Sequence, residues 1–304
     1  MSKLKVFEAF AGYGSQSIAL RNLGIDYEVV AISEIDKYAI QAYEAIHGEV
    51  NNLGDISNIS IEDIPYHDLF TYSFPCQDIS TAGNQASLAE GSGTRSSLLW
   101  ECKKIIETKK PTYLLMENVK NLVSKRHKPH FDKWLEWLEQ QGYTNSWKVL
   151  NAKDYGVPQN RERVFLVSVL NSNTQYKFPN KVELNTTTLD LLEADVPSKY
   201  YFSDIGVAKM KRFAPKKDIL DKISPAITTE LAHSSGKNVS PKLCNIIGEY
   251  RRITPREAFR LMGMSDTDID KIQKSGVSDT QQYKMAGNSI VVQVLEAIFK
   301  NLLV

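Results

Sequence analysis

Residues 4–23 read LKVFEAFAGYGSQSIALRNL, and this stretch decides the fold. The apolar run from Leu4 to Phe10 predicts a buried strand, and the apolar residues after the turn recur at helical spacing. Between them, Gly12 and Gly14 predict a tight turn where the backbone can approach a ligand closely. Strand, glycine turn and helix are typical of the first unit of a nucleotide-binding α/β domain. Ser17 occupies the third glycine position of that pattern, so a simple tight turn remains an alternative.

Two acidic residues follow the next two predicted strands. The strand at residues 27–33 ends at Glu34, 20 residues after Gly14, where a carboxylate suits the hydroxyl groups of a ribose. Asp55 follows Leu53 and Gly54, which predict a further strand end, and it would accept a hydrogen bond from an adenine amino group. Either acid alone would suit a turn or a helix cap. Together they favour an adenosine site.

A thiol and a carboxylate follow two later strands. The apolar run at residues 69–74 stops at Pro75, and Cys76 follows directly. Glu117 follows the apolar run at residues 113–116 in the same way. Open α/β sheets bind their ligands at the carboxyl ends of their strands, where both side chains would lie. A buried, inert thiol is the alternative for Cys76. We expect a glutamate that follows four apolar residues to have an interaction partner or a functional role, because burying an unpaired charge is costly.

Two arginines precede the last predicted strand of the sheet. Arg161 and Arg163 come directly before the apolar run at residues 164–169, which we expect to pair with residues 147–150 as an antiparallel hairpin. We expect one arginine to face the site and one to form an ion pair. The glycine-rich and serine-rich stretch at residues 78–97 has the composition of a loop over a site.

The composition describes an ordinary soluble globular protein. The chain has 304 residues, of which 42% are hydrophobic and 24% charged, enough for one large core and a smaller domain. No apolar run of 18 residues or apolar leader segment occurs, so we expect a cytoplasmic protein. The cysteines are too few and scattered for a disulfide framework or a zinc site. They are Cys76, Cys102 and Cys244.

Charge is distributed unevenly although the net charge is +1. Residues 1–170 carry 18 Lys/Arg and 21 Asp/Glu (18 − 21 = −3), whereas residues 171–256 carry 14 and 9 (14 − 9 = +5). The second balance fits a phosphate-contacting region, although a solvated basic face is the commoner meaning. Periodicity also weakens after residue 170. We therefore predict a catalytic and cofactor-binding domain at 1–170 and 276–304, and a loop-rich target-recognition domain at 171–275.

Six motifs in this order resemble those of the cytosine-5 DNA methyltransferases. They are Phe10-Ala11-Gly12-Tyr13-Gly14, Phe74-Pro75-Cys76-Gln77, Glu117-Asn118-Val119, Gln159-Asn160-Arg161-Glu162-Arg163, Arg252 to Gly263, and Gly287-Asn288-Ser289. The resemblance covers most of the chain outside its middle. Ser15, where the family has a glycine, and Ser97, in the loop, depart from the pattern without removing a reacting group.

The resemblance implies a Rossmann-like methyltransferase fold, an α/β architecture whose mostly parallel sheet ends in an antiparallel hairpin, with a small loop-rich recognition domain. Carbon 5 of cytosine is a poor nucleophile, so the Cys76 thiolate would first add to carbon 6. Glu117 would hydrogen-bond ring nitrogen 3, and Arg163 would contact the oxygen of the base. Arg161 would support the site or a phosphate. The target base must be flipped out of the duplex.

The same resemblance assigns the binding residues. S-adenosylmethionine is the implied cofactor, and the residues that would hold it are Phe10, Ala11, Gly12, Tyr13, Gly14, Ser15, Glu34, Ile35, Asp55, Ile56, Pro75, Leu99, Asn288 and Ser289. Double-stranded DNA is the implied partner, and the residues predicted to contact it are Gln77, Ser80, Lys209, Lys211, Arg212, Ser234, Ser235 and Asn238. No metal site or membrane contact is predicted. We expect a monomer, with a restriction endonuclease as a possible functional partner.

Three alternatives stay open on the sequence. An RNA cytosine methyltransferase of the same fold is the nearest, but that subfamily usually has Pro-Pro-Cys-Gln, whereas Phe74 precedes Pro75 here. A non-catalytic DNA-binding relative would have no need to retain Cys76, Glu117 and Arg163 together. An NAD-dependent oxidoreductase would rest on the first strand, turn and helix alone.

Overall fold

A six-stranded sheet and flanking helices form most of the computed structural model. The strands in the described residues are β1 (Leu4–Ala9), β2 (Tyr27–Ser33), β3 (Leu69–Tyr72), β4 (Tyr113–Val119), β5 (Tyr143–Asn151), β6 (Gln159–Asn160), β7 (Glu162–Leu170), β8 (Ser224–Pro225), β9 (Asn245–Ile246) and β10 (Glu249–Tyr250). The α-helices are α1 (Ser15–Asn22), α2 (Lys37–His47), α3 (Glu101–Lys109), α4 (Lys128–Gln140), α5 (Asp204–Phe213), α6 (Pro255–Arg260), α7 (Asp266–Lys274), α8 (Asp279–Asn288) and α9 (Val292–Leu303).

The strand order of the large sheet is β2-β1-β3-β4-β7-β5. The β1–β2, β1–β3 and β3–β4 pairs are parallel, and β7 runs antiparallel to β4. The carboxyl ends of the parallel strands therefore lie at one edge, and the amino end of β7 meets them there. The predicted fold class, a mostly parallel sheet with an antiparallel final element, is confirmed.

The structure describes residues 3–75, 95–213, 222–232, 245–246 and 249–304. Within those ranges, no helix is both long and apolar enough to cross a membrane. The chain divides into two compact units, the first made of residues 1–150, 162–179 and 295–304, and the second of 151–161 and 180–294. These bounds differ from our predicted domains chiefly at residues 151–161 and 276–294, which belong to the second unit.

Aromatic side chains build the core of the first unit. Phe7 and Phe70 stack with ring centres 5.2 Å apart, and Phe70 stacks on Tyr72 at the same distance. Trp134 of α4 donates its indole N–H to the Tyr72 hydroxyl at 3.2 Å. This bond satisfies two polar groups that are otherwise buried. Trp134 and Phe131 are fully buried, so both belong to this core.

A buried ion pair organises the start of α6 in the second unit. Thr254 caps the helix and Pro255 is its first residue, with Glu257 completing a reciprocal capping box. The Glu257 carboxylate also pairs with both terminal nitrogens of Arg251 at 2.8 Å. The backbone N–H of Glu193 also donates to the same carboxylate at 2.9 Å. Glu257 thus joins three separate segments of this unit.

Removing this carboxylate should destabilise the protein strongly. The side chains of Arg251 and Glu257 are 3% and 0% exposed, so Glu257→Ala leaves a buried guanidinium without its counter-charge. We expect a loss of about 3 to 5 kcal/mol in the free energy of unfolding, measured by urea denaturation. The control is Lys199→Ala, which breaks an exposed pair with Asp279 and should cost less than about 1 kcal/mol. Equal losses in the two variants would contradict this account.

Candidate active site

The glycine turn after β1 presents open backbone at the carboxyl edge of the sheet. Gly12 and Gly14 have φ angles of +59° and +82°, which few other residues adopt. Among the described residues, no heavy atom lies within 4 Å of the position of a Gly12 Cβ. A Gly14 Cβ would instead lie 2.5 Å from His47 Nε2. One glycine thus leaves space for a ligand, and the other allows α2 to pack against the turn.

Glu34 connects the end of β2 to this turn. Its Oε2 accepts the N–H of Gly12 at 2.9 Å, and its Oε1 accepts the N–H groups of Ile35 and Asp36, both at 2.8 Å. Ile35 beside it is 72% exposed. A fixed carboxylate next to an exposed apolar side chain and an open glycine backbone matches the hydroxyl groups and planar base of an adenosine. The residues present therefore fit the expected cofactor.

The other residues predicted to hold the cofactor are placed less uniformly. Phe10 follows β1 with a φ of +56°, and the side chains of Ala11, Tyr13 and Ser15 are buried, so the turn offers mainly its backbone. Ile56 and Leu99 lie in the core of the first unit, and Pro75 is partly buried. In the second unit, Asn288 is exposed and Ser289 is partly buried. The contacts of all these residues with a cofactor stay predictions.

Asp55 does not close a strand, so that part of the prediction was wrong. Its side chain accepts the N–H of Ser57 at 3.0 Å and caps a short 3-10 helix, Ile56–Asn58. Pairing with β2 is limited here to one isolated bridge between Asn52 and Ile32. The local capping preference of aspartate thus decided the conformation, although the carboxylate still follows a segment beside β2.

Glu117 and Arg163 meet at the boundary between β4 and β7. In the antiparallel register Val119 lies opposite Arg163, so Glu117, two residues earlier in β4, points to the same face as Arg163. The Nε of Arg163 lies 3.2 Å from Oε1 of Glu117, and the two side chains are 19% and 9% exposed. The expected partner for the buried glutamate, and the expected arginine ion pair, are therefore the same interaction.

Asn118 holds the chain that leads to Cys76. Its side-chain amide N–H donates to the carbonyl of Phe74 at 3.0 Å, and its Oδ1 accepts the N–H of Val119 at 2.8 Å. Asn118 is 2% exposed and points to the face opposite Glu117. Sequence analysis placed this residue in a motif but assigned it no role. An amide at an apolar strand end was the signal, because a buried amide needs a partner.

Arg161 acts inside the second unit. Its guanidinium donates to the carbonyls of Ile227 at 2.7 Å, Gly287 at 2.9 Å and Ser289 at 2.7 Å. Gly287 allows this arrangement because α8 packs on a backbone turn: an added Cβ would lie 2.4 Å from the N atom of Thr229. Arg161 thus has a structural role, because it joins three backbone carbonyls, and its predicted support of the site is indirect.

The cysteines and the predicted DNA-contacting residues are described only in part. Burial raises the pKa of the Cys102 thiol, which is fully buried, so this cysteine suits packing and not nucleophilic attack. Lys209, Lys211 and Arg212 lie in α5, but the positions of their side chains are outside what the structure describes. Seven residues named in the sequence analysis lie outside the described ranges: Cys76, Gln77, Ser80, Ser234, Ser235, Asn238 and Cys244.

A protein-family model matches the sequence of this chain over nearly its whole length. The model of the C-5 cytosine-specific DNA methylases matches residues 4–303. The chain belongs to this family. It is a DNA (cytosine-5)-methyltransferase, and S-adenosylmethionine is its methyl donor. The oxidoreductase alternative was therefore wrong, and the methyltransferase interpretation of the six motifs is confirmed.

Named relatives of the methyltransferase extend over its whole length. It is 43% identical to the Type II methyltransferase M2.ScrFI of Lactococcus lactis subsp. cremoris, covering 98% of this chain and 99% of that protein. It is 36% identical to the Type II methyltransferase M.NlaX of Neisseria lactamica, covering 97% and 94%. Its fold is similar to the crystal structure of S. pombe Dnmt2 methyltransferase, with a TM-score of 0.79 at 22% identity over 99% and 100% of the two chains.

A buried acid supports the cofactor turn of the methyltransferase from behind. Glu8 of β1 is fully buried, and its Oε1 accepts the hydroxyl of Ser17 at 2.8 Å. The Ser17 hydroxyl lies 3.3 Å from the hydroxyl of Tyr43, whose ring is 4.5 Å from that of His47. His47 Nε2 in turn lies 3.2 Å from the carbonyl of Tyr13 in the turn. Ser17, at the third glycine position, therefore links β1, α1 and α2.

Sequence reasoning missed this group of residues. The available signals were an acid inside an apolar strand and a hydroxyl where a glycine was expected. Burial raises the pKa of Glu8 to about 7, while hydrogen bonds from Ser17 and Tyr43 oppose the shift. Burial, followed by the nearby charge of Glu8, also raises the pKa of Tyr27, whose hydroxyl donates to the Ser17 carbonyl at 2.9 Å. The acid is thus protonated in the folded protein below neutral pH.

The stability of the methyltransferase should depend on the ionisation of Glu8. The acid ionises near pH 4.5 when unfolded but near 7 when folded, so its contribution to the free energy of unfolding falls as pH rises between these values. Glu8→Gln removes this titration. Urea denaturation should show the variant gaining roughly 2 kcal/mol on the wild type between pH 5 and pH 8. Glu28→Gln, at an exposed position of β2, is the control. A difference independent of pH for Glu8→Gln would contradict the assignment.

Proposed function

We propose that Cys76 is the nucleophile of this methyltransferase and that Glu117 and Arg163 hold the target cytosine. One observation carries the proposal: Asn118 binds the carbonyl of Phe74, two residues before Cys76, while its neighbour Glu117 pairs with Arg163. A carboxylate, a guanidinium and the segment leading to a thiol are therefore joined at the carboxyl end of β4.

The chemistry follows from these three groups. The Cys76 thiolate adds to carbon 6 of cytosine, which places electron density on carbon 5. Glu117, protonated or sharing a proton with ring nitrogen 3, hydrogen-bonds that nitrogen, and Arg163 contacts the oxygen of the base. The low exposure of the Glu117–Arg163 pair strengthens both interactions, because little water competes for them. After methylation, a base removes the carbon-5 proton, the double bond between carbons 5 and 6 re-forms, and the Cys76 thiolate leaves carbon 6.

The cofactor site is the glycine turn together with Glu34 and Ile35. When bound, S-adenosylmethionine supplies the electrophilic methyl group that carbon 5 accepts. Glu34 would accept hydrogen bonds from the ribose, and Ile35 would cover one face of the adenine. The open Gly12 backbone leaves room for the remainder of the cofactor. Asn288 and Ser289 are proposed to complete the pocket.

The substrate of this reaction is a cytosine in a specific sequence of duplex DNA. The base must leave the duplex, at a cost of about a few kcal/mol, before it can contact Glu117. Residues 171–275 are proposed to read the sequence, and residues 78–97 to cover the site. We propose that the enzyme is cytoplasmic. We also propose that it acts as a monomer, because all six motifs lie on one chain. The type II names of its relatives favour a partner restriction endonuclease.

Replacing the thiol tests the nucleophile. Cys76→Ser should abolish methyl transfer to duplex DNA, because a neutral hydroxyl cannot replace the thiolate, while DNA binding is retained. The assay is tritiated methyl transfer from S-adenosylmethionine, with transfer RNA as a second substrate. Wild-type protein should form a covalent adduct with DNA containing 5-fluorocytosine, and Cys102→Ser is the matched control that should retain activity. Turnover by the Cys76→Ser protein would disprove the assignment.

Replacing Glu34 tests the cofactor site. Glu34→Ala removes the proposed ribose acceptor and the bond to the Gly12 N–H, so affinity for S-adenosylmethionine should fall about tenfold or more. Calorimetric titration measures this change, with Glu28→Ala, an exposed residue of the same strand, as the control. Unchanged affinity in the Glu34 variant would place the cofactor elsewhere.

A further inference from the structure

A basic segment follows the strand that carries Glu117. Residues 120–133 contain five Lys/Arg and one Asp, a balance of 5 − 1 = +4, together with two histidines. The first 170 residues as a whole have a balance of −3, so this segment differs in sign from its surroundings. It comprises a 3-10 helix, Lys120–Val123, a short connection, and the start of α4. The charge therefore lies just beyond the carboxyl end of β4.

The two central cations of this segment lie at the surface. Lys125 and Arg126 are both exposed. Among the described residues, Lys125 forms no ion pair, whereas Lys128 pairs with Asp132 at 2.6 Å and Lys120 with Glu162 at 3.0 Å. The single acid of the segment is therefore already paired with Lys128. A net positive surface remains around residues 125 and 126.

The behaviour of a neighbouring histidine agrees with this positive charge. Burial lowers the pKa of His127, and the charges of Arg126 and His130 lower it further. Burial is the largest cause of this shift, and the neighbouring charges act in the same direction.

An exposed tryptophan lies beside the cations. Trp147 of β5 is 37% exposed, and the Lys128 Nζ lies 5.8 Å from its ring centre. The Trp147 ring meets Phe131 of α4 edge to face at 5.6 Å, which fixes its position. Basic side chains with an adjacent fixed aromatic ring are the groups that proteins use to hold sugar and phosphate.

We infer that Lys125, Arg126, Lys128 and Trp147 form a surface that binds the sugar–phosphate backbone of duplex DNA beside the flipped cytosine. This inference rests on the proposed function. Three cations in four residues offer strong donors to phosphate oxygens at the carboxyl edge of the sheet, where Glu117 lies. The surface is separate from the predicted recognition segment, so it binds DNA regardless of sequence and positions the duplex over the catalytic strand ends.

Salt dependence of DNA binding tests the inference. The variant is the full-length protein with Lys125→Gln and Arg126→Gln, and the probe is a labelled duplex, in specific and scrambled sequence, at several salt concentrations. Two lost phosphate contacts should make the slope of log K against log salt shallower by about two, equally for both duplexes.

The matched control removes two charges from the opposite edge of the sheet. Lys3 directly precedes β1 and Lys109 ends α3 just before β4, so both lie toward the amino ends of the parallel strands. The Lys3→Gln, Lys109→Gln protein should keep the wild-type slope. Equal slopes in the two double variants would overturn the inference, as would weakened binding to transfer RNA alone. Absence of methyl transfer to DNA by the wild type would instead disprove the proposed function.

Discussion

The antiparallel pairing of β7 with β4 is the constraint on which the candidate active site depends. Glu117 lies near the carboxyl end of β4, whereas Arg163 lies at the amino end of β7. If the two strands were parallel, these residues would lie at opposite edges of the sheet. Reversal of one strand brings them within 3.2 Å and lets each neutralise the other where little water reaches. A buried carboxylate at the site is tolerable because of this pairing.

The cofactor turn depends on a different kind of buried acid. Glu34 faces the turn from the front and fixes the N–H of Gly12. Glu8 lies behind the turn, and among the described residues no cation is one of its hydrogen-bond partners. Burial without a counter-charge raises the pKa of Glu8, and the Ser17 hydroxyl satisfies part of the carboxyl group. The serine at the third glycine position therefore serves packing between strand and helix. The turn is thus supported by two carboxyl groups: Glu34, which accepts the N–H of Gly12, and Glu8, whose pKa is raised by burial.

The arginine motif serves two compact units. Gln159 and Arg161 belong to the second unit, where Gln159 donates to the carbonyl of Leu261 at 2.6 Å and accepts the N–H of Ile227 at 2.9 Å. Arg163 belongs to the first unit and pairs with Glu117. The division between the units therefore falls inside the motif, between Arg161 and Glu162. A mutation in this motif can affect stability or chemistry, depending on the residue that is changed.

The sequence by itself determined most strands and helices of the first unit, the glycine turn, the carboxyl-edge positions of Glu34 and Glu117, and the family. These features follow from local periodicity, turn chemistry and motif order, which a linear pattern contains. Asp55 was misassigned to a strand end although its capping of a short 3-10 helix is also a local interaction. Tertiary structure alone decided that Glu117 pairs with Arg163, that Asn118 holds Phe74, and that Arg161 donates to three carbonyls. It also decided which residues the two units contain. Each of these depends on strand direction, register or burial, which bring together groups far apart in the chain and which no local pattern encodes.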